Sequence, residues 1–476
     1  MNVLTSEEIK EVDRLTIEEN KVPSLALMEN AAHRVDETLL QEFDPLDKKY
    51  VVILCGNGNN GGDGLALARL LIGKVSRMLV VLAGNPDELK GDAKVNYDRL
   101  REGGVMPMRE IPQKLRERLQ VEVVVDALLG TGVKGPPHGR VLELIRATRE
   151  FPSAKIVAVD LPSGLGGGGE CVKADLTITF TAPKVEHYLA ENAQECVGRL
   201  VVLPIGCPPQ YVVSKLAVSD PREFAGLFKA RKRDSHKGDF GHVLVVGGAP
   251  GKSGAAAMAG LAALRMGAGL VSVTSTAATG IAPELMTETL EDFTIERKTV
   301  VAVGPGLGIH RELVRRVVES VKVPVVIDAD GLNSLAGTDF KGRGEQAILT
   351  PHPGEMARLL GRPVKDRLSD AREYATGRNV CLVLKGHRTL IAMPDGQVYI
   401  NLTGSPAMAT GGTGDILTGM IAGMVAQFPE QIAAAVRAAV WLHGRSGELA
   451  AEELTEKCVI ATDLLRFLPA AIREIV

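Results

Sequence analysis

The chain has no apolar run approaching the roughly 20 residues of a membrane span. It is therefore expected to take no membrane partner. It also lacks a basic excess: 55 Lys and Arg against 58 Asp and Glu leave a formal charge of -3. Nucleic-acid binders usually show a clear positive excess, so no nucleic-acid partner is expected. The N-terminus, MNVLTSEEIKEVDRL, has no basic n-region and no apolar h-region, and a signal peptide is not expected. Six cysteines (Cys55, Cys171, Cys196, Cys207, Cys381 and Cys458) are scattered and form no CxxC pair. That pattern fits a reducing, cytoplasmic compartment and argues against a zinc site.

What remains is a globular composition, 45% hydrophobic and 24% charged over 476 residues. The length predicts two domains. The N-terminus reads as a helix start, with Thr5 as cap and Glu8 closing a capping box. Further on, YVVILC, RMLVVLAG, VEVVVDALLG, AKIVAVDLP and LTITFTAP are rich in Val, Ile or Leu. They lack two-residue alternation, as expected of strands buried on both faces of a parallel sheet. Helical stretches such as GLALARLLIG and HGRVLELIRATRE lie between them. The alternation predicts a doubly wound α/β sheet with its site at the strand C-termini. A proline-rich segment, VVLPIGCPPQYVVSKLAVSDPREF, follows and places a boundary near 211–220. The pattern then resumes with VLVVGG, GLVSVTS, TVVAVGPGLG, VPVVIDADGLN, QAILTPHPGE, NVCLVLKG and TLIAMPDGQVYIN. Two α/β domains are expected, spanning 1–213 and 221–476.

In the first half, loops GNGNNGGDG (56–64), DALLGTGVKG (126–135), DLPSG (160–164) and TAPK (181–184) follow predicted strands and should converge. Gly56-x-Gly58-x-x-Gly61 matches the dinucleotide fingerprint, with a helix expected from Leu65 to offer its positive end to an anion. The fingerprint also wants an acid about 20 positions on. The first one there, Asp87, comes too late. No hydride-transfer constellation accompanies the glycines, which weighs against a dehydrogenase. Asn60, Asp126 and Ser163 bear oxygens at strand ends. They are either ligands of a weakly charged hard cation or satisfied loop polars. Asp160 is either a general acid/base or a cap on the next turn.

LMENAA at 27–32, GNGNNGGDG, VDALLGTG, VDLPSG and FTAPK, in this order, resemble the NAD(P)H-hydrate epimerase domain over about residues 1–210. The resemblance implies a Rossmann-like three-layer αβα fold. It implies K+ held by Asn60, Asp126 and Ser163, with Asp160 as the acid/base. It implies substrate contacts from Asn59, Asn60, Gly61, Gly62 and Asp63, and from Gly130, Thr131, Gly132, Val133, Lys134, Gly135 and Pro136. Two departures stand out: GGGGE at 166–170, which suggests a mobile lip beside Asp160, and Glu186 where a glycine is common. Lys184 ranks below Asp160 as a second proton-handling or phosphate-binding group.

In the second half, GGAPGKSG at 247–254 misses the Walker spacing, because Val246 stands where a glycine is needed. It reads as a tight turn before the small-residue helix AAAMAGLAALRMGAG. SPAMATGGTGDILTGMIAG is more telling. Gly411, Gly412 and Gly414 precede a helix expected near Asp415, forming an anion hole with a carboxylate at its mouth. Asp415 is either the base that takes a substrate hydroxyl proton during phosphoryl transfer or an ordinary N-cap. His352 and Glu355 lie in LTPHPGE, and Lys385 and Thr389 in LKGHRT. Asp328 and Asp330 either hold magnesium or cap a helix.

SHKGDFGHVLVVGG, GAGLVSV, GPGLG, DADGLN, LTPHPGE, LKG and GGTGD together resemble the ADP/ATP-dependent NAD(P)H-hydrate dehydratase family over about 221–476. The resemblance implies a ribokinase-like α/β fold that uses ADP or ATP with Mg2+. It implies substrate contacts from Gly306, from His352, Pro353, Gly354, Glu355, Met356, Ala357 and Arg358, and from Asp415. It implies nucleotide contacts from Lys385, Gly386, His387, Arg388 and Thr389. The same role falls to Ser405, Pro406, Ala407, Met408, Ala409, Thr410, Gly411, Gly412, Thr413 and Gly414. In WLHGRSGELA, Ser446 and Glu448 replace the usual Ala and Asp. The expectation is a bifunctional, homo-oligomeric nicotinamide-nucleotide repair enzyme (isomerase and lyase). The alternative is a ribokinase-type small-molecule kinase behind a non-catalytic nucleotide-binding module.

Overall fold

The computed structural model describes residues 1–112, 120–132, 135–275, 280 and 282–476. They form two compact units, Asn2–Ser214 and Met1 with Lys215–Val476. Among the described residues no helix is long and apolar enough to cross a membrane. All six cysteines are free.

The first unit carries six parallel strands in the order β2-β1-β3-β4-β5-β6. They are β1 (Tyr50–Cys55), β2 (Arg77–Leu82), β3 (Val123–Ala127), β4 (Lys155–Val159), β5 (Leu176–Phe180) and β6 (Arg199–Leu203). In β1, Val51, Ile53 and Cys55 join one hydrophobic core, with the helices Ser24–Glu42 and Asn59–Leu70. Val52 and Leu54 join a second core, with the helix Gly139–Ala147. One sheet between two cores explains why these strands show no polar face. Each large apolar side chain so buried contributes roughly 1.5–3 kcal/mol. The chain leaves β1 for β2 and returns to the far side as β3. The crevice beyond their C-terminal ends is thus a topological switch point.

Two sequence expectations need correction here. First, Gly56–Gly64 is not a loop throughout: the helix begins at Asn59, six residues before Leu65. None of Gly56, Gly58, Gly61, Gly62 and Gly64 has a positive φ. They serve close approach instead. A Cβ on Gly61 would lie 1.9 Å from Gly56 O, and one on Gly64 2.7 Å from Ala127 Cβ. Packing overrides the poor helix propensity of glycine. Second, the proline-rich segment is not free of strands: β6 runs into its start, and β7 (Leu216–Val218) lies within 211–220, beside the division of the units at Ser214/Lys215.

The second unit holds ten strands in the order β10-β9-β8-β11-β12-β13-β14-β15-β16-β7. Besides β7 they are β8 (His242–Val246), β9 (Leu270–Val273), β10 (Met286–Thr287), β11 (Val300–Val303), β12 (Val325–Ile327), β13 (Gly344–Leu349), β14 (Val380–Leu384), β15 (Leu390–Ala392) and β16 (Val398–Ile400). All neighbours are parallel except β14–β15 and β15–β16. The helix Thr413–Gln427 is buried along most of its length against Ser253–Arg265. The contact depends on small residues. A Cβ on Gly419 would lie 1.9 Å from Ala259 O, and one on Gly423 2.6 Å from Ala263 O. This helix starts at Thr413, not at Asp415, so Asp415 sits within the first turn and is not the N-cap.

Candidate active sites

In the first unit the loops after β1, β3, β4 and β5 line a cavity of about 730 Å3, within the usual range of small-molecule sites. Asn59, Asn60, Asp63, Gly130, Thr131, Gly132, Asp160 and Lys184 all face it. Val133 and Lys134 lie outside the described residues.

Asp160 follows β4 at φ 65°, a left-handed conformation that costs a non-glycine residue on the order of 1–3 kcal/mol. Its Oδ1 lies 2.6 Å from Lys184 Nζ and accepts from Thr179 Oγ1 at 3.1 Å. Lys184 is only 2% exposed. Its ammonium donates to Asp160, to Thr179 Oγ1 at 2.7 Å and to Phe180 O at 3.0 Å. All three donors are spent inside the protein, which removes the phosphate-binding reading of this lysine. Burial pushes the Asp160 carboxyl up. The charge and hydrogen bond of Lys184, with His187 and Thr179, together outweigh it, and the net shift is downward. His187 Nδ1 accepts from Lys184 N at 2.9 Å, so Nε2 carries the proton and donates to Asp160 O at 2.9 Å. Burial lowers His187 to about 4 and keeps it neutral.

A second cluster lies beside the first. Ser163 Oγ donates to Asp126 Oδ1 at 2.6 Å, and Ser163 N to Oδ2 at 2.8 Å. Burial nonetheless raises Asp126 to about 6. Asn60 Nδ2 donates to Leu129 O at 2.9 Å. Asn60 Oδ1 is buried with no hydrogen-bond partner, a costly state for an isolated carbonyl. Asp63 is held well above its ordinary value by burial, then by Asp160 and Asp13.

The GGGGE segment is wound into turns, with Gly166 and Gly168, like Gly164 before it, at positive φ. Two of its glycines meet close neighbours: a Cβ on Gly167 would lie 2.6 Å from Gly135 O, and one on Gly169 3.0 Å from Pro136 Cβ, whereas Gly168 has nothing within 4 Å. A Cβ on Gly166 would meet Glu186 Cγ at 3.4 Å. The two departures from the family pattern therefore adjoin, and the segment lies against Gly135 and Pro136 while Gly166, Gly168 and Gly169 stay exposed.

In the second unit Asp415 faces a cluster of carboxylates around one lysine. Lys385 Nζ lies 2.7 Å from Asp328 Oδ1 and 3.8 Å from Glu355 Oε2. Asp328 Oδ2 accepts from Thr418 Oγ1 at 2.7 Å. With one oxygen on Lys385 and the other on Thr418, the Asp328 side chain makes no cap bond to its helix, and it is less available to magnesium than Asp330. Asp330 accepts from Gly308 N at 2.7 Å and lies 3.5 Å from Lys252 Nζ. Burial and the nearby Asp328 raise Asp415 to about 6 despite Lys385. Gly414 lies over this cluster, where a Cβ would be 3.4 Å from Lys385 Nζ.

His352 and Glu355 form a reciprocal capping box at the helix Pro353–Leu360. His352 Nδ1 accepts from Gly354 N at 3.0 Å. Met356 is fully buried, so its side chain offers a substrate no surface. Ala357 is half-buried and Arg358 exposed, its Nη1 donating to Asn333 Oδ1 at 2.5 Å. Gly306, at φ 59°, abuts Lys252 O.

The loop Gly386–Thr389 is held by Arg367, which donates to His387 O at 2.6 Å and Arg388 O at 3.3 Å. Ser405 caps the turn Pro406–Met408. Thr413 Oγ1 donates to the carbonyls of Met408 and Thr410, both at 3.0 Å. Gly404 N donates to Glu448 Oε1 at 2.8 Å, so the unusual Glu448 anchors this loop. His443, lowered to about 4 by burial, meets Thr413 O at 2.9 Å. Lys252, Thr418 and His443 here, and Asp13, Thr179 and His187 in the first unit, were not singled out from sequence. Thr179 alone carried a local signal, one of two hydroxyls in the otherwise apolar strand LTITF. Among the described residues no group of three or more His, Cys, Asp or Glu side chains could hold a metal.

The family model for NAD(P)H-hydrate dehydratase matches residues 243–470, and that for the YjeF-related protein N-terminus matches 24–186. A bifunctional NAD(P)H-hydrate repair enzyme from Moorella thermoacetica is 38% identical, over 100% of this chain and 97% of its own length. One from Escherichia coli is 36% identical, over 88% and 84%. The ADP/ATP-dependent NAD(P)H-hydrate dehydratase of Bacillus subtilis, co-crystallized with ATP/Mg2+, superposes with a TM-score of 0.51 at 34% identity, covering 56% of this chain and 100% of that one. A ribokinase-like protein from Enterococcus faecalis gives a TM-score of 0.51 at 29% identity, covering 56% and 98%. With both halves matched in one chain, this protein belongs to the bifunctional NAD(P)H-hydrate repair enzymes, which join an epimerase to an ADP/ATP-dependent dehydratase.

Proposed function

We propose that residues 1–213 carry the epimerase and 221–476 the dehydratase, each at its own switch-point crevice. The hydrate bears a hydroxyl at C6 of the nicotinamide ring. Loss of that hydroxyl leaves an iminium-like ring, and water returning on the other face gives the other epimer. Asp160 is the proton-handling group. The observation that supports this is a strained carboxylate, held ionised by Lys184, at the wall of the cavity.

The residues expected at the cation site fit potassium. Asn60 Oδ1 is a buried acceptor without a donor, and Asp126 supplies a single buried charge beside it, a neutral-rich oxygen set suited to a weakly charged hard cation. Asn60 and Asp126 would hold K+, with Ser163 orienting the carboxylate. When bound, K+ supplies fixed positive charge near the substrate.

In the second unit Asp415 takes the proton of the C6 hydroxyl as a phosphoryl group from ADP or ATP reaches its oxygen. Phosphate then leaves where hydroxide would not, and elimination restores the dihydropyridine. The Gly411–Gly414 turn and the helix start behind it hold the phosphates. Magnesium would ride chiefly on those phosphates, with Asp330 rather than Asp328 as the protein carboxylate. ADP is the preferred donor, and the enzyme works as a cytoplasmic homo-oligomer, which its mass in solution tests.

The deciding experiment follows return of dihydronicotinamide absorbance from mixed R and S hydrates of NADH with K+, Mg2+ and ADP. Full recovery in two phases is expected. Asp415→Asn should slow the dehydratase roughly 10²–10⁴-fold and spare epimerisation, and Asp160→Ala should do the reverse. A stable phosphorylated product would replace this reading with the kinase one.

A further inference from the structure

The helix Ser6–Glu18 turns one face to the epimerase cavity, made of Ile9, Asp13 and Ile17 at four-residue spacing. The helix is docked beside Lys184. Leu4 N donates to Pro183 O at 2.9 Å and Val185 N to Leu4 O at 3.1 Å, so the backbone on each side of Lys184 is tied to the residue that precedes the helix's N-cap, Thr5. Leu4, Ile9 and Val12 pack with Ala182 in one apolar cluster. Asp13 is thereby fixed over the same cavity as Asp160. Unlike Asp160, its carboxylate has no hydrogen bond or ion pair among the described residues. A part-buried carboxylate without a partner, mounted on a rigid helix and facing a ligand cavity, is unexplained by folding alone.

Resting on the epimerase reading above, we propose that Asp13 is a second catalytic group of this site, working on the opposite face of C6 from Asp160. The C6–O bond breaks with its electron pair on oxygen, and the Asp13 carboxyl proton turns the leaving group into water. The N1 lone pair forms the C6=N1 bond. Water then adds to the other face, the pair returns to N1, and the surplus proton of that water passes to the Asp160 carboxylate. The enzyme is left with the proton on Asp160 and Asp13 ionised, the state that runs the reverse epimerisation, and exchange with solvent restores the first state.

The surroundings divide the two groups in this sense. Asp13 faces Asp63 from the helix Asn59–Leu70, Asp160 after β4 and Lys184 after β5, with Lys10 on its own helix lining the same wall. Burial raises Asp13 to about 6, Lys184 opposing and Asp160 assisting. Two carboxyls in one cavity, one pushed up and one down, are the arrangement that acid/base pairs require.

The test compares wild type, Asp13→Asn and Asp13→Glu with the pure R hydrate of NADH, reading R-to-S conversion across pH. Asp13→Asn should slow conversion roughly 10²–10⁴-fold and abolish the alkaline decline of kcat/KM. Asp13→Glu should restore part of both. Thermal stability, the K+ concentration for half-activation and ADP-dependent dehydration of the S hydrate should not change. An Asn variant that keeps its rate, or loses rate with the alkaline decline intact, overturns the proposal. So does a Glu variant that folds and shows no recovery of either. Wild type that leaves the R hydrate untouched would fail the epimerase reading itself.

Discussion

Each unit sets a lysine among carboxylates at the ends of parallel strands, Lys184 in the first and Lys385 in the second, but the two choose different partners. Lys184 bonds directly to Asp160, the carboxylate expected to act. Lys385 bonds to Asp328 and leaves Asp415 among like charges. For Asp160 burial raises the carboxyl, and Lys184 with His187 and Thr179 more than cancels it, so the net shift is downward. For Asp415 burial and Asp328 together win, and the group rises to about 6. The same residue types thus yield a standing anion in one site and a carboxyl poised near neutrality in the other. The difference comes from one ion pair rather than from depth of burial.

Removing each lysine is the strongest way to break this contrast. Lys184→Met leaves Asp160 buried and unpaired, and Lys385→Met does the same to Asp328. Either should cost about 3–5 kcal/mol in denaturant unfolding. The activities should diverge. Without Lys184 the burial of Asp160 loses its chief opponent and the carboxyl rises, so epimerisation falls sharply and the acidic limb of its pH profile moves up. Without Lys385, Asp415 loses an attraction that burial and Asp328 already outweigh, so the dehydratase limb should move up less than the epimerase limb does. A Lys385→Met enzyme altered only in KM for ADP would instead assign the lysine to the nucleotide.

The pH profiles of the unmodified enzyme sharpen the same comparison. Asp415 must be ionised to take a proton, so dehydratase kcat/KM should fall about tenfold per pH unit below about 6. The epimerase limb due to Asp160 should lie lower, because that carboxyl is held below its ordinary value. Stability runs in opposite directions. The raised Asp415 contributes stability that is present below its unfolded value of 3.8 and lost as pH rises through about 6. The lowered Asp160 contributes stability that is present above its unfolded value and lost as pH falls through its folded one. Coincident acidic limbs for the two reactions would refute the contrast.

The strand-rich architecture was legible because doubly buried parallel strands are written as runs of Val, Ile and Leu. β6 and β7 were hidden by the prolines around them and by their short length, and pairing rather than composition makes them strands. Asp160, Asp126, Ser163 and Asp415 were legible as polar residues at strand ends or beside glycine turns. Asp13 was not. It sits in EEIKEVDRLTIEE, where one more acid on an amphipathic helix reads as solvated surface, and only the backbone bonds at Leu4 bring it to the cavity. Lys184 was visible, but its bond to Asp160 was not, since positions far apart in the chain meet only through strand order.

The glycines of the two motifs separate the sites at a finer scale. Both stretches read alike, as flexible turns that admit a phosphate. In the first, Gly61 is a packing residue, because an added Cβ would fall 1.9 Å from Gly56 O, backbone that cannot yield cheaply. In the second, Gly411 has nothing within 4 Å of an added Cβ. Gly61→Ala should therefore cost roughly 1–3 kcal/mol or more of stability, with loss of epimerase following loss of fold. Gly411→Ala should change stability by no more than about 0.5 kcal/mol and raise KM for ADP, since only a bound nucleotide would meet the methyl group. Melting curves and ADP titrations of the two variants separate these outcomes. Unchanged ADP affinity in Gly411→Ala would mean that the second turn, like the first, is shaped by packing rather than by its ligand.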